Sequence, residues 1–139
     1  MKKLLIVLED ASFRIEWLQD LFEKSDFEIW ATLRIDDFLA QVQKASSEKR
    51  LGAVVFDHDL SFLATVGGTD RNGNTAAKQI QCSLNTPMLV WSANPVGALD
   101  IEKTLKMRGF SQVSRLPFTS ENLPRIAAWV LQALNREAS

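Results

Sequence analysis

LGAVVFDHDLSF, residues 51–62, is the stretch on which the fold turns. Gly52 to Phe56 form an apolar, β-branched run of the kind that makes a strand buried on both faces of a parallel sheet. The run stops abruptly at Asp57, His58 and Asp59. An unpaired carboxylate buried away from water is destabilising by several kcal/mol, roughly the penalty for any unsatisfied polar group or more. These side chains therefore need a partner, a metal ion or a solvent-lined mouth.

Outward from this run, the same alternation of apolar runs and amphipathic stretches continues in both directions. Lys3–Leu8 (KLLIVL) and Phe27–Leu33 (FEIWATL) read as strands. Between them Phe13, Trp17, Leu18, Leu21 and Phe22 recur at helical spacing, and Ile35, Phe38, Leu39 and Val42 do so before residue 51. Downstream, a helix is predicted over about Thr75–Leu84, a strand over Thr86–Trp91 and another over 110–116. Asn94 as N-cap, Pro95 at the first helical position and Gly109 as terminator bracket a helix between them. Leu123, Ile126, Ala127, Val130, Leu131 and Leu134 give the last one. Strands alternating with helices pair in parallel, because each crossover returns the chain to the same end of the sheet. The prediction is a doubly wound, three-layer α/β sandwich with five parallel strands, one domain over residues 1–139.

Composition removes several function classes. With 46% hydrophobic and 24% charged residues the chain has the makeup of a globular protein with a core, not of a disordered one. Sixteen basic and 17 acidic residues leave a net charge of −1, so no global field draws in nucleic acid and duplex DNA binding is not expected. The apolar run after Met1 is too short for a signal peptide and ends in acids; no run reaches the roughly 20 residues of a membrane span. Cys82, the one cysteine, has no internal disulfide partner and is read as a helical packing residue; a cytoplasmic location is expected.

In open α/β sheets ligands bind outside the carboxyl ends of the strands. Those ends carry Glu9 and Asp10, then Asp57, then Ser92, which should line one mouth. Glu9, Asp10, Asp57 and Asp59 supply hard oxygen donors suited to Mg²⁺ or Mn²⁺. In the simpler alternative Glu9 or Asp10 caps the first helix. Arg14, one helical turn past Asp10, can offer phosphate a planar fork or form a salt bridge to Asp10 or Asp59. His58 suits general acid–base work at neutral pH, whereas strand alternation would point it away from Asp57 and Asp59 and favour a structural bond elsewhere. Ser92 and Asn94 flank a helix start, where free amides favour anions, so both are candidate phosphate contacts, with Asn94 also suited to capping. The stretch VGGTDRNGN, residues 66–74, lacks the lysine and spacing of a P-loop; a flap carrying Arg71 and Asn72 toward the mouth is the expectation. Trp17, Trp30 and Trp91 read as core, and Trp129 as core or partner surface.

These strand ends resemble a receiver domain of the flavodoxin-like kind, which implies the strand order 2-1-3-4-5. The resemblance makes Glu9 and Asp10 the acidic pair, Asp57 the phosphoryl acceptor and Ser92 the hydroxyl after strand four. Receivers carry a lysine before the proline that follows strand five; here Leu116 precedes Pro117 and Arg115 is the nearest cation in that segment. LEDASFR, FDHDL, the glycine-rich insert and SANPVGALDIEKTL together are similar to the cyclic-phosphate-processing receiver family, a receiver offshoot associated with prokaryotic conflict systems. Arg14, Asp57, His58, Asp59, Leu60, Ser92, Asn94, Pro95 and Gly97 match its pattern, while Trp91 stands where that family has a histidine.

The resemblance implies a metal-dependent cyclic phosphodiesterase or phosphohydrolase, with Asp57, His58 and Arg14 as catalytic residues. Its partner would be a phosphate-bearing small molecule or nucleotide end. The alternative is a stand-alone or degenerate response regulator, acting through phosphorylation of Asp57 or by binding a partner protein.

Overall fold

A computed structural model describes residues 2–59 and 72–135. In chain order the elements are β1 (Lys3–Leu8), α1 (Ser12–Phe22), β2 (Phe27–Thr32), α2 (Ile35–Ser47), β3 (Leu51–Phe56), α3 (Gly73–Gln79), β4 (Met88–Val90), α4 (Pro95–Met107), β5 (Val113–Arg115) and α5 (Leu123–Asn135). All strand pairs are parallel and the sheet order is β2-β1-β3-β4-β5, as the sequence reading anticipates.

Alternation along the strands builds a core on each face of this sheet. Leu4, Ile6, Leu8, Val54, Phe56, Met88 and Val90 face the side covered by α2, α3 and α4, where Phe38, Val42 and Ile101 meet them. Leu5, Val7, Ala53, Val55, Leu89 and Trp91 face α1 and α5, against Leu18, Phe22, Ile126, Val130 and Leu134. Not every residue of the apolar stripes is inside. Phe13, Leu21 and Leu131 are exposed, because these helices have one neighbouring layer and a stripe wider than it covers.

Helix α3 and strands β4 and β5 have other bounds than the sequence reading gives them. Helix α3 starts at Gly73 and ends at Gln79, where Ile80 turns extended and buries its side chain; Cys82 therefore lies beyond the helix, packed at the edge of the α2–α4 core. Strands β4 and β5 shrink to three residues each. The α4 boundaries follow the sequence signals. Asn94 caps the Gly97 amide, Pro95 opens the helix, and Gly109 at φ +99° closes it in the left-handed region that suits glycine. No helix among the described residues is long and apolar enough to cross a membrane.

Candidate metal centre

Ladder register brings the acids together. Leu8 of β1 pairs with Phe56 of β3, and the Asp57 amide donates to the Leu8 carbonyl at 2.9 Å. The residues after each strand, Glu9 and Asp57, are thus neighbours at the carboxyl end of the sheet. Glu9, Asp10 and Asp57 each present an oxygen within 4.8 Å of the others. Donor oxygens around an octahedral Mg²⁺ at 2.0–2.1 Å stand about 3 to 4 Å apart, so this trio fits such an ion with small adjustments. Asp59 is not in the trio. Its carboxylate bonds His58 Nδ1 at 2.8 Å and accepts from Asn94 Nδ2 at 3.2 Å, an arrangement that holds its carboxyl below the ordinary aspartate range.

Glu9 is almost wholly inaccessible to solvent and both of its oxygens are engaged. Oε1 accepts the Asp10 amide at 3.1 Å and the Ala11 amide at 3.0 Å; Oε2 accepts Arg14 Nη1 at 3.1 Å. The helix-capping alternative is thus part of the picture, since Glu9 takes the amides that lead into α1. Burial first, and then the Asp57 charge, push the Glu9 carboxyl up to about 7 against the pull of the Ala11 amide and Arg14. Asp57 is also pushed up, by burial first. Hydrogen bonds from Glu9, the Ser92 hydroxyl and the His58 amide, together with the Arg14 charge, work the other way.

Arg14 pairs with neither Asp10 nor Asp59, the partners anticipated from helical spacing. Its Nη1 reaches Glu9 and lies 3.9 Å from Asp57 Oδ2. The guanidinium sits 5.0 Å from the Phe118 ring centroid and 5.7 Å from that of Phe13, within cation–π range of both. Phe118 had no signal in the helical or strand periodicity. Its place next to Pro117 at the exit of β5 marks it, because the exits of β1, β3 and β4 also feed this mouth. The Phe118 amide donates to the Trp91 carbonyl, and the Trp91 and Trp17 rings meet the Phe118 ring edge-on at 5.1 and 5.5 Å. Trp91 is fully buried in the α1–α5 core. Leu116 packs against that same core, and Arg115 pairs with Glu102 of α4 at 3.6 Å, so β5 supplies no cation to the carboxylates.

His58 leaves the strand direction at a bend, which is why the alternation argument fails for its Asp59 contact. The imidazole lies over Gly97, in the first turn of α4; a Cβ on Gly97 would overlap the ring. The His58 carbonyl accepts the Gly73 amide at 3.1 Å, and a Cβ on Gly73 would overlap the Asp57 carbonyl. Asn72 points its Oδ1 to the Asn74 and Thr75 amides in a capping box instead of into the mouth. Ser92 is buried beside Asp57 and accepts the Asn94 amide at 3.1 Å, while both polar groups of the Asn94 side chain are taken by Gly97 and Asp59. The proposed flap and its Arg71, and the motif residue Leu60, lie outside the described residues.

No family model and no curated protein sequence matches this chain. Solved structures do match in fold. The response regulator receiver domain protein from Clostridium thermocellum superposes with a TM-score of 0.64 at 15% identity, over 98% of this chain and 96% of that one. The response regulator domain of Thermotoga maritima CheB gives 0.62 at 18% identity, over 99% of each chain. The receiver domain of a sensor histidine kinase from Pseudomonas aeruginosa PAO1, which has a magnesium ion coordinated in its active-site cleft, gives 0.55 at 15% identity, over 94% of this chain and 98% of that one. The chain has the CheY-like receiver fold, and its acidic cluster resembles a receiver magnesium site.

Proposed function

We propose that this chain is a receiver-like signalling module that binds Mg²⁺ through Glu9, Asp10 and Asp57 and a phosphoryl group at the same mouth. The observation that carries the reading is the meeting of three carboxylates, each from a strand exit, beside one partly buried arginine. A bound divalent ion would supply charge to a phosphoryl oxygen and offset the mutual repulsion of the acids. Asp57 offers the carboxylate for phosphoryl transfer, the Ser92 hydroxyl beside it a hydrogen bond, and Arg14 the cation that β5 does not bring to the carboxylates. His58 and Asp59 form a brace between the exit of β3 and the start of α4, and Asn94 acts as a cap.

Processing of a cyclic or terminal phosphate is the second reading. It is favoured by the leucine at the receiver lysine position together with an arginine from α1 on the carboxylates. That reading has one histidine to work with, and its Nδ1 is engaged by Asp59.

One experiment divides these readings. The protein is incubated with Mg²⁺ and acetyl phosphate and, separately, with Mg²⁺ and 2′,3′-cyclic nucleotides. A mass gain of one phosphoryl group that is absent in Asp57→Asn supports the signalling receiver. Metal-dependent ring opening in the other incubation supports phosphate processing. If neither occurs, both chemistries are rejected and a protein-binding role remains.

A further inference from the structure

We propose that Arg14 is a built-in counter-ion that occupies the cation position of the acidic mouth and is displaced when a divalent ion binds. This inference rests on the Mg²⁺ reading above and adds to it an autoinhibitory contact from within the chain.

The argument starts from which oxygens are free. Glu9 Oε1 is committed to the Asp10 and Ala11 amides, neither of which can leave without opening the entry to α1. A metal ion seeking direct coordination by Glu9 therefore has Oε2 available, and Arg14 Nη1 already holds Oε2 at 3.1 Å. That nitrogen also lies 3.9 Å from Asp57 Oδ2, so it stands between two members of the trio. One positive charge is shared by two buried carboxylates, and an incoming ion must compete with it for them.

The surroundings make the exchange feasible. Among the described residues Arg14 meets no carboxylate besides Glu9 and Asp57, and its Nε is buried with no hydrogen-bond partner. What holds the guanidinium apart from the acids is the flanking of Phe13 and Phe118, whose ring faces accept a cation in more than one orientation. Phe13 is exposed, which leaves room on the solvent side. Displaced from Glu9, the guanidinium remains at the mouth with donors free for an anion. Arg14 therefore opposes metal binding and favours anion binding, and its removal should shift the two affinities in opposite directions.

The test is a Mg²⁺ titration without any phosphate, followed by tryptophan fluorescence and by calorimetry at pH 8, on the wild type, Arg14→Gln and Asp57→Asn. Removing one unit charge about 4 Å from the carboxylates should tighten Mg²⁺ binding by about tenfold. Equal or weaker binding by Arg14→Gln, with the wild type saturating, overturns the inference and leaves the Mg²⁺ reading intact. No saturation by either protein at tens of millimolar Mg²⁺ overturns both. A readout on the wild type covers the case in which Arg14→Gln does not fold. Hydrogen exchange of the buried Arg14 Nε–H, observed by ¹⁵N NMR, should accelerate on saturation with Mg²⁺. An unchanged rate in a protein that has bound the ion overturns the displacement.

Discussion

Acid should stabilise the metal-free protein, and by an amount that follows from the burial of Glu9. Its carboxyl is pushed from 4.5 to about 7, so the folded state holds this proton more tightly than the unfolded chain does. The resulting stability is fully present below pH 4.5, falls as the pH rises, and is gone above about 7. Each whole pH step inside that window is worth about 1.4 kcal/mol, giving a loss of about 3 kcal/mol from this one group. Asp57 is displaced in the same direction and adds to the loss. With a urea slope of about 2 kcal/mol per molar, the midpoint should drop by about 1.5 M between pH 5 and pH 8. The assay is urea unfolding by tryptophan fluorescence in chelator at four pH values, with Glu9→Gln measured alongside. Glu9→Gln should show less than half of the wild-type drop, and saturating Mg²⁺ should restore much of the wild-type midpoint at pH 8. A wild-type midpoint that is level or rising between pH 5 and 8, or one that Glu9→Gln reproduces, refutes the electrostatic account of the site.

Three further outcomes are expected. Asp57→Asn removes one of two facing buried carboxylates, so in chelator at pH 8 it should be more stable than the wild type by about 1–2 kcal/mol in urea unfolding, while losing its response to Mg²⁺. Asp59→Asn should bind Mg²⁺ within about twofold of the wild type, since its carboxylate faces His58 and Asn94, and a tenfold loss would place it among the ligands. Gly73→Ala forces a methyl into the Asp57 carbonyl and should lower stability by about 1–3 kcal/mol in thermal melts, with weaker Mg²⁺ binding because the Asp57 backbone has to shift.

Much of this arrangement was legible in the residues, for reasons that differ from element to element. The apolar run of β3 and the acids after it announce a buried parallel strand with its chemistry at one end. β1 repeats the pattern, and a parallel ladder then makes Glu9 and Asp57 neighbours without any further information. Asn94, Pro95 and Gly109 delimit α4 because capping is local physics. Contacts that depend on a side-chain choice were not legible. Spacing offers Arg14 to Asp10, but Glu9 is the acid whose second oxygen is left unsatisfied inside, so the guanidinium goes there. Strand alternation points His58 away from Asp59, but alternation ends where the backbone bends after Phe56. Helix α3 is shorter than its composition suggests because Ile80 is drawn into the core, a tertiary demand with no local signature.

The bond from the Gly73 amide to the His58 carbonyl has a consequence for how the chain can vary. It fastens the exit of β3 to the first residue of α3, immediately under the Asp57 carbonyl. The clasp joins two described positions fifteen apart in sequence, and closing a longer connection between such anchors adds only about 0.6 kcal/mol for each doubling of its length. A foreign segment inserted between these two anchors should leave the three acids undisturbed. The clasp makes this junction a natural port through which one scaffold can acquire different recognition elements.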